Sequence, residues 1–192
     1  MQEYLETSLH IDWHDPDTRA LAESLASGLS SDEDIAKSCF EWVRDTIKHS
    51  ADYQLNPVTC KSSDVLKHKT GYCYAKSHLL AALLRANNIP AGLCYQRLSI
   101  NDDGAPYSLH GLNAVFLKNH GWYRIDARGN KEGVNAQFTP PHEQLAFPLH
   151  FELEADLTEI WAEPLAIVVS VLEQCATYKE VSENLPDIEP SQ

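Results

Sequence analysis

Cys73 is the residue whose type and setting first suggest chemistry. It follows Thr70-Gly71-Tyr72 and opens a run, to about Asn87, in which Ala75, Leu79, Ala82, Leu83 and Ala86 fall on one helical stripe. A cysteine in the first turn of a helix meets unpaired N–H groups and the positive end of the dipole, and both favour thiolate over thiol. Gly71 lets the backbone turn sharply and a substrate come close. The other four cysteines read differently. Cys39 on the apolar face of a helix, Cys94 in a strand and Cys175 in a terminal helix read as small buried hydrophobes, and Cys60 falls in a loop.

A thiolate nucleophile needs a proton shuttle, usually histidine, and a group to orient it. Of nine histidines, His110 stands at the head of a strand (111–118), and the following strand, Gly121–Ala127, carries Asp126 near its end. In an antiparallel pair those ends meet, but the register decides whether the side chains do. A two-residue loop, Asn119-His120, sets Asp126 opposite Asn113 and puts it on the other face from His110. A three-residue loop, Lys118–His120, sets Asp126 opposite Leu112, and His110 becomes its diagonal neighbour on the same face, roughly 7–8 Å away along the backbone. The triad therefore requires an odd loop or a bulge in this hairpin.

The surrounding pattern supplies elements to hold these groups. Thr18–Leu29 and Ser31–His49 read as helices, the second with Ser31 as N-cap and Asp32, Glu33 and Asp34 in its first turn. Residues 50–61 read as a loop, and Ser62–Lys69 as a short helix. The wide apolar surface of the helix opened by Cys73 marks it as central and buried. Asn87-Asn88-Ile89-Pro90 ends it, and Ala91–Ile100 is the first of three strands. The stretch 131–163 is rich in proline and acids and is a candidate cover for a groove. A helix from Pro164 to about Glu183 follows, with a strand as the alternative at the β-branched run Ile167-Val168-Val169, and Pro186–Gln192 reads as a frayed tail.

Gly71-Tyr72-Cys73, then Leu83-Leu84-Arg85-Ala86-Asn87-Asn88-Ile89-Pro90-Ala91, then His110 and, about 16 residues on and after Gly121-Trp122, Asp126, resemble the motifs of the transglutaminase-like superfamily. The resemblance covers about residues 60–130. It implies an α+β fold with a papain-like core, in which a nucleophile helix packs on an antiparallel sheet and N-terminal helices precede it. The superfamily includes protein crosslinkers, peptidases, peptide-N-glycanases and members without activity. Two departures stand out: His110-Gly111-Leu112 replaces the usual His-Ala-Trp, and Ala127-Arg128-Gly129-Asn130-Lys131 replaces a proline-containing turn. Arg128 there has two readings, a partner for an acid of the protein or a grip on a substrate carboxylate.

The resemblance implies that Cys73 attacks an amide or ester carbonyl, that His110 takes and returns a proton, and that Asp126 holds the imidazole in the right tautomer. The oxyanion needs two donors. The backbone N–H of Cys73 is the first. For the second, a polar side chain upstream, Gln54 fits by position and type and Asn56 competes with it.

Composition bounds the rest. At 192 residues the chain is read as one domain, 1–192. With 28 acidic against 15 basic residues and a net charge of −13, it would repel nucleic acid and anionic membranes. Its N-terminus lacks the basic and apolar regions of a signal peptide, and no apolar run is long enough to span a bilayer, so the cytosol is the expected compartment. Five irregularly spaced cysteines without a CxxC point to reduced thiols, with no disulfide framework, metal or cofactor. His10 and His14, flanking Asp12-Trp13, fit no standard ligand spacing.

The expected activity is that of a cysteine hydrolase or acyltransferase acting through a thioester on a peptide or small amide. Hydrolysis is favoured over crosslinking because accessory modules are absent. The alternative is a catalytically silent domain serving protein interaction, and thiol reactivity separates the two.

Overall fold

The computed structural model describes residues 1–189; residues 190–192, part of the expected frayed tail, lie outside them. After a 3-10 turn at Gln2–Leu5, α1 (Pro16–Ala26) begins ahead of the expected Thr18. The reason is local. The Asp15 carboxylate accepts from the N–H groups of Asp17 and Thr18 at 3.1 and 2.9 Å, and Pro16 takes the first helical position, where a missing N–H costs nothing.

Helix α2 (Asp32–Thr46) has the expected cap, Ser31 Oγ accepting from Asp34 N at 3.0 Å. It does not run on to His49. The chain leaves the helix at Ile47, beside the β-branched Thr46, and Lys48–His49 forms a short strand, β1. This strand pairs in parallel with β2 (Thr70–Gly71), so that His49 lies opposite Gly71. Within the stretch expected to be loop, Ser50–Tyr53 makes one helical turn, α3, and α4 (Ser62–His68) follows.

Helix α5 (Cys73–Ala86) is the centre of the fold, with every residue from Cys73 to Arg85 buried. Helices α1, α2 and α4 pack against it, as do strands β3 (Ala91–Ser99) and β4 (Tyr107–Leu117). Its last turn is anchored by Arg85, whose guanidinium donates to the carbonyls of Ala91 (3.0 Å), Glu6 (2.8 Å) and Ala162 (2.6 Å). Three separate segments are tied to one buried cation in this way.

The main sheet is antiparallel in the order β5-β4-β3-β6, with β5 at Gly121–Ile125 and β6 at Ala155–Asp156. Strand β4 starts at Tyr107, so His110 lies inside it rather than ahead of it. In the β4–β5 hairpin Leu117 pairs with Gly121, which leaves the three-residue loop 118–120. Asn113 pairs with Ile125, so the next residue along, Asp126, comes opposite Leu112. The hairpin has the odd loop that the triad requires. Gly121, at φ +73°, takes the left-handed turn that re-enters the sheet.

The C-terminal region departs from a single helix. Helices α6 (Ala166–Gln174) and α7 (Tyr178–Glu183) are separate, and Cys175 closes the first rather than lying within a continuous one. Thr177 starts the second by accepting from Glu180 N at 3.3 Å. Pro186 and Asp187, at the start of the expected frayed tail, are docked. Leu109 N donates to Pro186 O at 2.7 Å, and Arg97 grips both carboxylate oxygens of Asp187 at 2.7 Å. Among the described residues no helix is long and apolar enough to cross a membrane.

Candidate active site

Cys73 is the first residue of α5, with Tyr72 at the N-cap making no side-chain cap bond. Cys73 is 7% exposed, and the backbone N–H of Gly111 approaches its Sγ at 3.4 Å. That approach demands glycine: a β-carbon at Gly111 would lie 2.9 Å from Tyr74 Cδ1 and 3.1 Å from Tyr74 Cα. The replacement of alanine by Gly111 in the His-Gly-Leu stretch thus has a steric cause in this chain. Either side of the thiol, the aromatic hydroxyls brace the helix start. Tyr72 Oη meets Tyr178 O at 2.5 Å and Ser182 Oγ at 2.7 Å, and Tyr74 Oη donates to Leu109 O.

His110 Nε2 lies 2.7 Å from Asp126 Oδ2. Asp126 is fully buried and also accepts from Arg128 N and Ala146 N, each at 3.1 Å. Burial alone would raise its pKa, but the His110 charge and these hydrogen bonds hold it below the usual carboxylate value. An ionised carboxylate can only accept, so Nε2 is the donor and Nδ1 is the nitrogen left for the thiol. Burial pushes the His110 pKa down, but the charges of Asp126 and Cys73 outweigh it and raise it to about 10. The His110 ring is fixed further by Phe147, edge-on at 5.0 Å between centroids.

The structure thus places Cys73 and His110 on one cleft of about 830 Å³, with the fully buried Asp126 bonded to His110, and the segment 131–163 borders the cleft through Val134, Ala146, Phe147 and Phe151. It does not bring Gln54 there. That residue caps α3 in the left-handed conformation, is exposed, and is not among the residues lining the cleft. Asn56 is also outside; its Oδ1 accepts from Tyr178 N at 2.8 Å. Arg128 resolves toward a partner within the protein, a bidentate pair with Asp52 at 2.5 and 2.9 Å that Lys131 joins at 2.8 Å. Burial of Asp52 is overcome by these two cations, and its pKa falls well below the usual range.

One cleft residue escaped the sequence reading. His49 lines the wall near Cys73 and is 8% exposed, and its ring sits edge-on to Tyr72 at 5.3 Å. Burial, then the Arg128 charge, drives its pKa well below that of free histidine, so the ring is neutral. The β-branched Thr46-Ile47 at the end of an otherwise amphipathic helix is the signal that could have found it, because it marks a change to extended chain.

A second group of potential ligands lies away from the cleft. His10, Cys60 and Glu173 each place one donor atom within 4.8 Å of the others, with His10 Nε2 bonded to Glu173 Oε1 at 3.1 Å. The ring and the carboxylate already satisfy each other there. All five cysteines are free thiols, and burial pushes those of Cys39, Cys60 and Cys94 up to about 12.

Residues 19–127 match the family model of the transglutaminase-like superfamily. No curated protein matches the chain. Among solved structures, a candidate cysteine protease from Cytophaga hutchinsonii superposes with a TM-score of 0.53 at 18% identity, covering 65% of this chain and 40% of that one. The periplasmic domain of TgpA from Pseudomonas aeruginosa gives 0.48 at 20% identity, covering 65% and 45%. The chain therefore spans less than half the length of these proteins, and the likeness is one of fold. With the motif residues in place on an α+β core and the family model matched over more than half its length, the chain belongs to the transglutaminase-like superfamily.

Proposed function

We propose that the protein is a cysteine-dependent amide hydrolase or acyltransferase, with Cys73 as nucleophile, His110 as general base and acid, and Asp126 as the group that orients it. The observation that carries this reading is the buried 2.7 Å bond from His110 Nε2 to Asp126, which leaves Nδ1 for a thiol placed at a helix N-terminus. Sulfur, its proton already held by His110, adds to the carbonyl carbon of a peptide or small amide. Collapse of the tetrahedral adduct expels the amine, which takes that proton and leaves a thioester. Water or a second amine, deprotonated by His110, then attacks the thioester, and sulfur departs as thiolate.

No step needs a metal or cofactor, and the partner is the substrate alone. The cytosol remains the proposed compartment, on the five free thiols. The alternative, a silent interaction domain, draws on the low exposure of Cys73 and His110, 7% and 6%.

Iodoacetamide labelling at pH 6, mapped by mass spectrometry, tests the proposal, because ordinary thiols with a pKa near 8.5 are almost fully protonated there. Rapid labelling confined to Cys73 and lost in His110→Ala supports an activated thiol–imidazole pair. Slow or indiscriminate labelling rejects it and leaves the interaction domain.

A further inference from the structure

The tetrahedral adduct carries a negative oxygen that must be met by two hydrogen-bond donors. The backbone N–H of Cys73 is one, because the first N–H groups of a helix have no acceptor within it. With Gln54 and Asn56 outside the cleft, the second must come from another group. Most polar side chains of the cleft wall are already spent. Tyr72 and Ser182 bond to each other, and Tyr74 donates to Leu109 O. Both Arg128 and Lys131 are held by Asp52, and Ser99 Oγ donates to Gly104 O.

His49 is different. Its Nδ1 is buried without a hydrogen-bond partner and lies 3.8 Å from Asp52 Oδ2, too long for a bond. Among the described residues nothing bonds to its Nε2 either. Nε2 is not sealed as Nδ1 is, so the N–H open to a bound oxygen is that of Nε2. An unsatisfied buried imidazole costs stability and calls for an explanation. Its position supplies one. The parallel β1–β2 register sets His49 opposite Gly71, two residues before the nucleophile, and ring contact with Tyr72 holds it against the start of α5.

We propose that His49 is the second oxyanion donor, a catalytic residue that works with the backbone N–H of Cys73. This rests on the nucleophile reading above. As the carbonyl π pair moves onto oxygen, the oxygen accepts from both N–H groups, and both bonds are released when the carbonyl re-forms in the thioester. His49 transfers no proton and forms no covalent bond.

Two reactions of the same sulfur separate this role from a structural one. Displacement of iodide from iodoacetamide creates no oxyanion, whereas acylation by p-nitrophenyl acetate does. In His49→Phe, which keeps a ring against Tyr72 but has no donor, acylation is expected to fall about 100-fold or more while iodoacetamide labelling of Cys73 stays within about twofold of wild type. His49→Gln, with an amide N–H, should recover part of the acylation rate. Acylation by His49→Phe at the wild-type rate overturns the proposal. So does a parallel loss of both reactions in His49→Phe and His49→Gln, which would mark His49 as a support of the fold. A wild-type protein that neither labels nor acylates at Cys73 overturns the nucleophile reading itself, and the His49 role with it.

Discussion

Gly111 on β4 and Tyr74 on α5 are in contact so close that no larger residue fits at position 111: its β-carbon would fall 2.9 Å from the tyrosine ring and 3.1 Å from the tyrosine backbone. The sheet and the nucleophile helix therefore meet backbone to backbone one residue from both Cys73 and His110. Gly111→Ala is expected to push them apart, with a loss of roughly 1–3 kcal/mol of stability from overpacking. Iodoacetamide labelling of Cys73 should slow with it, as the Gly111 N–H leaves the sulfur. Urea midpoints and labelling rates measured on the same preparations check this, and unchanged values for both would show that the contact can relax freely.

Asp126→Asn keeps the shape of the buried acceptor and removes its charge. The His110 pKa, held up at about 10 by the charges of Asp126 and Cys73 against the opposing effect of burial, should fall. Labelling of Cys73 at pH 6 should fall with it by about 100-fold or more, since a buried amide can set the ring in the wrong tautomer. Titration of the His110 ring by NMR in the two proteins reads the shift directly.

Acid should destabilise the protein well before carboxylates titrate. Burial lowers the His78 pKa to about 4, and His49 is lowered too, so between about pH 6.5 and 4 the unfolded chain binds protons that the folded one refuses. Stability then falls as pH falls through this window, by an amount on the order of 3 kcal/mol from His78 alone. Urea midpoints at pH 6.5, 5.5 and 4.5 should decline in step, and more gently in His78→Asn.

On the alkaline side two buried groups on neighbouring elements oppose each other. His110, with its pKa raised to about 10, contributes stability that is lost as pH rises from about 6.5 to 10. Burial lowers Lys76 to about 7, so from there to about 10 the unfolded chain holds the extra proton and stability rises with pH. The wild type should therefore show a flat profile from about pH 7 to 9. Lys76→Met removes the rising component. It should be less stable throughout, since the carbonyl of Ile47 loses its donor, and should slope downward by about 1.4 kcal/mol per pH unit. A flat profile in the variant would count against the raised His110 pKa.

Much of this site could be read from the sequence because its largest parts rest on long patterns. The apolar stripe from Ala75 to Ala86 marks a buried helix, so Cys73 is found at its start. The strands on either side of Gly121 have the length and alternation that reveal a hairpin, and its register follows from counting. What stayed hidden was short or distant. Strands β1 and β2 have two residues each, too few to show a period, and His49 therefore fell at the end of an expected helix. Gln54 had the right chemistry and sequence position, but α3 turns it outward, which only three-dimensional context decides. The docking of Asp187 on Arg97 joins residues 90 positions apart, and no local pattern announces it.

The tip of the β4–β5 hairpin is remote from the thiol, and loop tips of this kind ordinarily tolerate gain or loss of a residue. Here the turn also bears on which residues pair. His110 and Asp126 share a face because three residues, 118–120, separate the strands. A slip of β5 by one place against β4, as when a deletion is absorbed by the strand and not by the turn, would carry the carboxylate through the sheet to its opposite side. The identities of Lys118, Asn119 and His120 can drift, yet the register that their turn sets is as much a part of the triad as the aspartate itself.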